Sequence, residues 1–311
     1  MKLVFCGTPG FAVPTLEAVL AAGHEVALVL TQPDRPAGRK MELQTSAIKK
    51  LALRNGLQVV QPEKLKLNED LKSQLRLIQP DAILVVAYGR IIPQWMLDLP
   101  RFGNINLHGS LLPKYRGAAP IQWAVANGET ETGVTTMHLD AGLDTGDVLL
   151  EHRLAVGPDT MASDLFPQLS QIGADLVLAT LAGLEAGTIT RKPQDHTQAT
   201  LAPILTREDA RIDLTARTAR EAYNRWRGFY PWPGAHAIFR GKRFLVHRMS
   251  VSPTNPGLPA GALAWSTGQL LAGAAEGTAI ILQEVQLEGK QQLTGMDFVR
   301  GFQLKQGEFL E

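Results

Sequence analysis

Short apolar runs alternate with helix-length amphipathic stretches along the amino-terminal part of the chain: Lys2–Cys6, Val13–Ala22, Glu25–Thr31, Ser46–Arg54, Gln58–Val60, Glu69–Ile78 and Ala82–Ala87. Parallel strands cannot be joined by tight turns, so this alternation predicts an α/β fold, a mostly parallel sheet with crossover helices. Further strands are expected at Gly103–Leu107, Gly133–Leu139 and Asp147–Arg153, and a long helix over Met161–Ala186, with Asp159 and Thr160 as caps. Ligands of such sheets gather outside the carboxyl ends of strands. That rule singles out Gly7–Gly10, Ala87–Ile92, His108–Gly117 and Asp140–Asp147.

Between Gly187 and Pro203 the chain turns polar and loses its helical period, which reads as an exposed linker. The expected organisation is a domain over 1–188, a linker over 189–205 and a second, smaller domain over 206–311. In the latter, one helix is expected over Arg207–Arg227. The short β-rich runs Ala237–Phe239, Phe244–Met249, Gly261–Ala264, Gln269–Ala272 and Ala279–Gln286 follow, which suggests an OB-like β-barrel. Charge is uneven: residues 207–248 hold ten Lys and Arg against four Asp and Glu, in a chain of 311 residues whose formal net charge is +1. Trp226, Phe229, Tyr230 and Trp232 are interleaved with these cations, a combination suited to a nucleic-acid backbone and equally to a solvated helix face.

The single cysteine, Cys6, cannot close an intrachain disulfide. The N-terminus enters a strand-like pattern without the regions of a secretory signal, and no apolar run approaches the roughly 20 residues of a membrane span, so a cytoplasmic protein is expected. Gly7-Thr8-Pro9-Gly10 fits neither dinucleotide nor P-loop fingerprints. Asp144-Thr145-Gly146 matches half of an aspartic-protease pair, with no second copy. The histidines lack ligand spacing, so no metal is expected.

Asn106 and His108 stand two residues apart at the end of an expected buried strand and therefore share a face. Two adjacent buried polar side chains are costly without partners or a task. They have to be read together with Asp144 in its glycine-rich loop.

The run Asn106-x-His108-Gly-Ser-Leu-Leu-Pro-Lys-Tyr-Arg-Gly-Ala-Ala-Pro-Ile-Gln122, then Gly133-Val134-Thr135, then Leu143-Asp144-Thr145-Gly146-Asp147, resembles the folate-dependent formyltransferases. Gly7-Thr8-Pro9, the stretch Thr31–Arg39, Val85–Gly89 and Pro231-Trp232-Pro233-Gly234 are similar to the branch that acts on charged initiator tRNA, although Gly10, Tyr115 and Arg39-Lys40-Met41-Glu42 depart from its pattern. The resemblance implies a Rossmann-like, doubly wound catalytic domain joined to the OB-like module. It also implies transfer of a formyl group from 10-formyltetrahydrofolate to the α-amine of methionyl-tRNA. Asn106, His108 and Asp144 fall on its catalytic positions. Its folate pocket maps onto Tyr88, Gly89, Arg90, Ile91 and Ile92, onto Ser110, Leu111, Leu112 and Pro113, and onto the loop from Asp140. Arg39 falls on a substrate-contacting arginine, and Lys40, Arg240, Lys242 and Arg243 are expected on tRNA phosphates. A monomer without membrane association is expected.

The chemistry agrees with these residue types. An amine attacking a formamide-like carbon builds negative charge on oxygen and positive charge on nitrogen. Asn106 and a protonated His108 can donate to the oxyanion, while Asp144 can favour the charged ring and help move the proton of the amine. The rivals are the same transfer to a sugar nucleotide or a glycinamide ribonucleotide, hydrolysis of the formyl donor, and an RNA-binding protein without turnover.

Overall fold

In the computed structural model, which describes residues 1–37 and 42–311, the opening apolar run forms strand β1 (Lys2–Gly7), with Leu3, Val4, Phe5 and Cys6 fully buried. Arg39 and Lys40 lie outside the described residues. The chain folds into two compact units: residues 1–120, 131–155 and 165–203 make the first, and 121–130, 156–164 and 204–311 the second.

In chain order, β1 is followed by α1 (Val13–Ala21), β2 (Glu25–Leu30), the small pair β3 (Arg35–Ala37) and β4 (Glu42–Gln44), α2 (Ala47–Arg54), β5 (Val59–Val60) and α3 (Glu69–Ile78). Then come β6 (Ala82–Val86), α4 (Gln94–Leu97), β7 (Asn104–His108), β8 (Arg116–Gly117), α5 (Pro120–Ala126), β9 (Glu131–His138), β10 (Val148–Ala155), α6 (Ala162–Ala186) and β11 (Leu201–Ala202). Seven strands form one sheet in the order β10-β9-β7-β6-β1-β2-β5. From β7 to β5 every pairing is parallel, and β9 and β10 are added antiparallel, giving the mostly parallel sheet that the alternation predicts, of the Rossmann-like kind that the resemblance implies. Helix starts follow local chemistry: Ser46 accepts from Lys49 N ahead of α2, and Asn68 accepts from Leu71 N ahead of α3.

Helix α6 is, among the described residues, long and apolar enough to cross a membrane, contrary to the expectation that no segment approaches that length. Its burial is nevertheless one-sided. Ala162, Leu165, Leu169, Ala174, Val177 and Leu181 are buried, while Asp164, Gln168 and Asp175 are exposed. At Gly173 the helix comes so near the sheet that a Cβ would meet the Leu107 side chain at 2.6 Å. Thr180 bonds Thr136 of β9 at 2.7 Å, and Ser170 donates to Phe11 O. The expected caps shift by one residue: Asp164 accepts from Met161 N, whereas Thr160 accepts from Gly157 N.

The stretch expected to be an exposed linker is mostly exposed and is pinned to the fold at a few points. Lys192 and Val148 exchange two backbone hydrogen bonds of 2.9 Å, β11 pairs in parallel with β8, and Gln194 and Ala202 are buried. Polar composition there reflects side chains that satisfy neighbouring backbone groups, in addition to those facing water. At the far margin of the sheet, β10 exposes Glu151, His152 and Arg153, and Arg153 bonds Glu131 at 2.6 Å and Glu151 at 3.1 Å.

The second unit contains α7 (Ala219–Phe229), β12 (His236–Phe239), β13 (Lys242–Val251), β14 (Leu263–Ser266), β15 (Gln269–Gly273), β16 (Ala279–Leu287), β17 (Gln292–Thr294) and α8 (Gly295–Gly301). Its antiparallel sheet runs β12-β13-β16-β15-β14, with β17 on β16. The OB-like expectation takes the form of a half-barrel, since no pairing joins β12 to β14 among the described residues. Phe239, Phe244 and Phe298 meet edge-on or tilted at 5.1–6.2 Å in its core. The helix expected over Arg207–Arg227 begins only at Ala219. Asp213 Oδ1 accepts from Thr215 and Ala216 in a local turn, and Thr218 and Glu221 form a capping box, so side chains compete with helix ahead of residue 218.

Candidate active site

β7 lies between parallel β6 and antiparallel β9, the place where the sheet reverses direction. Asn106 and His108 project from it, 8% and 5% exposed. The His108 Nε2–H donates to Tyr115 O at 2.8 Å, which fixes the tautomer and leaves Nδ1 facing Asp144 Oδ2 at 3.6 Å. Thus the structure brings His108 and Asp144 together. It also removes Nε2 from service as an oxyanion donor in this conformation, because Tyr115 O already holds that proton.

Asp144 reaches the ring by an indirect route. Because β9 is antiparallel, its carboxyl end pairs with the amino end of β7, His138 opposite Ile105, about 10 Å of strand away from His108. The Asp140–Asp147 turn must therefore carry Asp144 back. It does so with Asp144 at φ 51°, a left-handed conformation that costs on the order of 1–2 kcal/mol for a residue with a Cβ. Gly117 N–H donates to Asp144 Oδ2 at 2.8 Å, and Gln194 Nε2 donates to Asp144 O at 2.9 Å and Gly146 O at 2.7 Å. Gly146 is obligatory, since a Cβ there would overlap His138 O.

Asn106 differs from its neighbours. Among the described residues its carboxamide has no hydrogen-bond partner, although the residue is nearly buried. An unsatisfied amide in such a position suits an oxygen delivered by a substrate.

The expected folate-contacting residues are placed variously. Tyr88 is 1% exposed, packed with Cys6, Ile92 and Met96; burial pushes its phenol pKa up, and the hydroxyl has no partner. Its carbonyl accepts from Gln32 at 2.9 Å, so Tyr88 belongs to the core more than to a pocket wall. Gly89 follows at φ 72°, Arg90 donates to Glu63 O, and Ile91 is 91% exposed. The Ser110 hydroxyl donates to Lys114 O, and Thr135 Oγ1 bonds Ser110 O and Leu112 N, which stiffens the turn of Leu111, Leu112 and Pro113. Asp140 Oδ1 accepts from Gly142 N and Thr145 Oγ1. Ser110 and Asp140 thus bind their own turns and Arg90 reaches Glu63, leaving backbone groups and apolar surface for a ligand. Among the described residues no group of His, Cys, Asp and Glu could hold a metal ion.

Of the expected RNA-contacting cations, Lys242 is exposed at the start of β13. Arg240 instead forks onto Glu308 through two bonds of 2.9 Å, and Arg243 lies 3.4 Å from His236 Nδ1. Arg227 is 2% exposed and donates to Asn224 Oδ1, Gly157 O and Thr160 O; Arg225 stacks on Trp123 and Phe229. Part of the basic, aromatic composition is thus internal architecture. Gln194, Arg116 and the Tyr115 carbonyl were not legible as site components. Arg116 lay within the quoted motif, but nothing in a polar run marks Gln194.

Two family models, the formyl transferase domain over residues 1–181 and the formyl transferase C-terminal domain over 204–303, match this chain. A methionyl-tRNA formyltransferase of Acidobacterium capsulatum is 59% identical over 97% of this chain and 96% of its own length. Those of Koribacter versatilis and Solibacter usitatus are 56% and 51% identical, covering 97% and 100% of this chain and 96% and 98% of their own. Among solved structures, the sugar 3N-formyl transferase WlaRD has a TM-score of 0.67 at 18% identity, covering 94% of this chain and 99% of its own. The N-formyltransferase of Helicobacter canadensis scores 0.66 at 19% identity, covering 94% and 100%. On matches of this extent, the chain belongs to the formyl transferase family, among the methionyl-tRNA formyltransferases.

Proposed function

We infer that this chain transfers the formyl group of 10-formyltetrahydrofolate to the α-amine of methionine on charged initiator tRNA. The observation that carries the reading is the 59% identity to a methionyl-tRNA formyltransferase over 97% of the chain, which spans both family domains. The geometry around β7 supplies a chemistry for it. The new bond joins the amine nitrogen to the formyl carbon, the bond from that carbon to the nitrogen of the donor breaks, and the proton given up by the amine ends on that released nitrogen.

Asn106 is the free donor for the oxygen on which charge develops. Asp144 Oδ2, at 3.6 Å from His108 Nδ1, is placed to pair with the ring when it takes up the proton of the amine. Tyr115 O holds the other edge of the ring throughout, so orientation survives the change of charge. Holding amine and donor in register can remove about 7–11 kcal/mol of barrier. The fit to the folate rests on the Asn106 amide, unpartnered among the described residues, and on the loop surfaces at Gly89–Ile92 and Leu111–Pro113, beside which Arg90 and Ser110 are already engaged. Lys242, with Arg39 and Lys40, is assigned to phosphates, and the chain is assigned to the cytoplasm as a monomer.

The test is transfer of labelled formyl to methionyl-tRNA, beside a sugar-nucleotide amine, glycinamide ribonucleotide and water. Transfer to methionyl-tRNA at least about tenfold faster, by kcat/KM, than to the small amines is expected. Faster release to water or to either small amine would overturn the reading, and absence of single-turnover transfer would leave only RNA binding.

A further inference from the structure

Asp144 is the least naturally placed member of the trio. It comes from the wrong end of an antiparallel strand and adopts a left-handed backbone, so its aim depends on what holds the turn. The Gln194 carboxamide is 8% exposed and bridges the carbonyls of residues 144 and 146, on either side of Thr145. Its own oxygen is fixed in turn: Arg116, 7% exposed, donates to Gln194 Oε1 from Nε at 3.1 Å and Nη2 at 2.7 Å, and Nη2 also meets His196 Nδ1 at 3.0 Å. A cation on the carbonyl end of an amide polarises it and strengthens its N–H donors. The backbone carrying both residues is locked as well, by the Lys192 and Val148 bonds and by Arg116 N on Thr200 O at 2.8 Å. Tyr115, whose carbonyl holds His108, has its own N–H on Thr200 Oγ1 at 2.9 Å.

We propose that Gln194, polarised by Arg116, is a positioning residue for the transfer reaction, holding Asp144 in the left-handed turn that aims its carboxylate at His108. Gln194 contacts no reacting group; it acts through Asp144. The segment around it, polar and outside every motif, is thereby part of the catalytic apparatus. The proposal rests on the formyl-transfer reading for its kinetic consequence, but its structural consequence stands apart from that reading.

Gln194→Glu tests it, because the glutamate can still accept from Arg116 but cannot donate to the two carbonyls. We expect kcat to fall by about 30-fold, with KM for methionyl-tRNA and for the formyl donor within about twofold, as misaim of a reacting group predicts. Amide exchange over residues 140–147 should quicken by about tenfold while β1, β6 and β7 stay protected. In an Asp144→Asn background the same substitution should cost less than about threefold, since the charge being aimed is already gone. A kcat within twofold of the parent, or an equal loss in both backgrounds, overturns the proposal. Should the glutamate variant not fold, Arg116→Lys replaces it; faster exchange over 140–147 supports the proposal and unchanged exchange overturns it. Should the parent protein fail to formylate methionyl-tRNA, the functional reading falls, and the exchange measurement alone decides the role of Gln194 by the same two outcomes.

Discussion

The two units treat buried polar side chains in opposite ways. In the first, Gln194 and the Gly117 N–H hold Asp144, the Tyr115 carbonyl holds His108, Arg116 braces Gln194, and among the described residues the neighbouring Asn106 amide is unpartnered. In the second, Arg225 and Arg227 stack on aromatic rings or donate to backbone carbonyls, and Arg240 closes on Glu308, so cations that composition counts as an RNA footprint serve the fold. The difference teaches that neither burial nor charge marks a site by itself; what sets the first region apart is a held acid–imidazole pair beside an amide left free among the described residues.

Substitutions that strip the first unit of its charge and its free donor should show the largest effects. Asp144→Asn keeps shape and removes the carboxylate, and kcat should fall by at least about 10²–10³; a kcat close to the parent's would break the assignment. Asn106→Ala should lower kcat by about 10²–10³, the scale of one oxyanion donor, with a melting temperature close to the parent. In the second unit the balance reverses: Arg227→Ala should lower unfolding free energy by about 2–4 kcal/mol in urea titrations, while kcat of the folded protein changes little.

Smaller effects sharpen the division within the basic segment. Raising salt should weaken methionyl-tRNA binding along a log-log line, and a flat response would remove phosphate contacts from the interface. Lys242→Ala should weaken tRNA binding more than Arg240→Ala, because Glu308 already compensates Arg240. The smallest effect concerns pH. Burial lowers the pKa of His138 in the first unit, and burial with Arg243 and Arg211 lowers that of His236 in the second. A base whose folded pKa lies below its ordinary 6.5 is fully stabilising above that pH, and the contribution is lost as pH falls through the folded value. Urea midpoints should therefore decline on acidification below about pH 6.5, and less steeply in His138→Gln.

Much of the fold was written in periodicity. β1 and β6 are apolar runs buried on both faces, and the helices between them carry plain amphipathic spacing, so local pattern and final packing agree. The pair Asn106 and His108 was legible because alternation along β7, buried throughout, sets two polar side chains on one face. Arg207–Arg227 misled because helix-forming composition continues across Asp213 and Thr218, whose side chains bond the local backbone and postpone the helix. Residues 189–205 are mostly exposed, as their polar composition implies, but the pairings that hold them, with β8 and β10, join positions distant in sequence and leave no periodic trace. Gln194 is invisible for the same reason, its role being defined by carbonyls about 50 positions earlier.

The outer margin of the large sheet carries one further consequence. An unpaired strand invites a guest strand from another molecule, and a chain synthesised in a crowded cell meets many candidates. Along β10, Lys192 already holds the Val148 backbone, and a guest farther along would lie beside the exposed charges of Glu151 and Arg153, so fibrillar stacking is disfavoured at this margin.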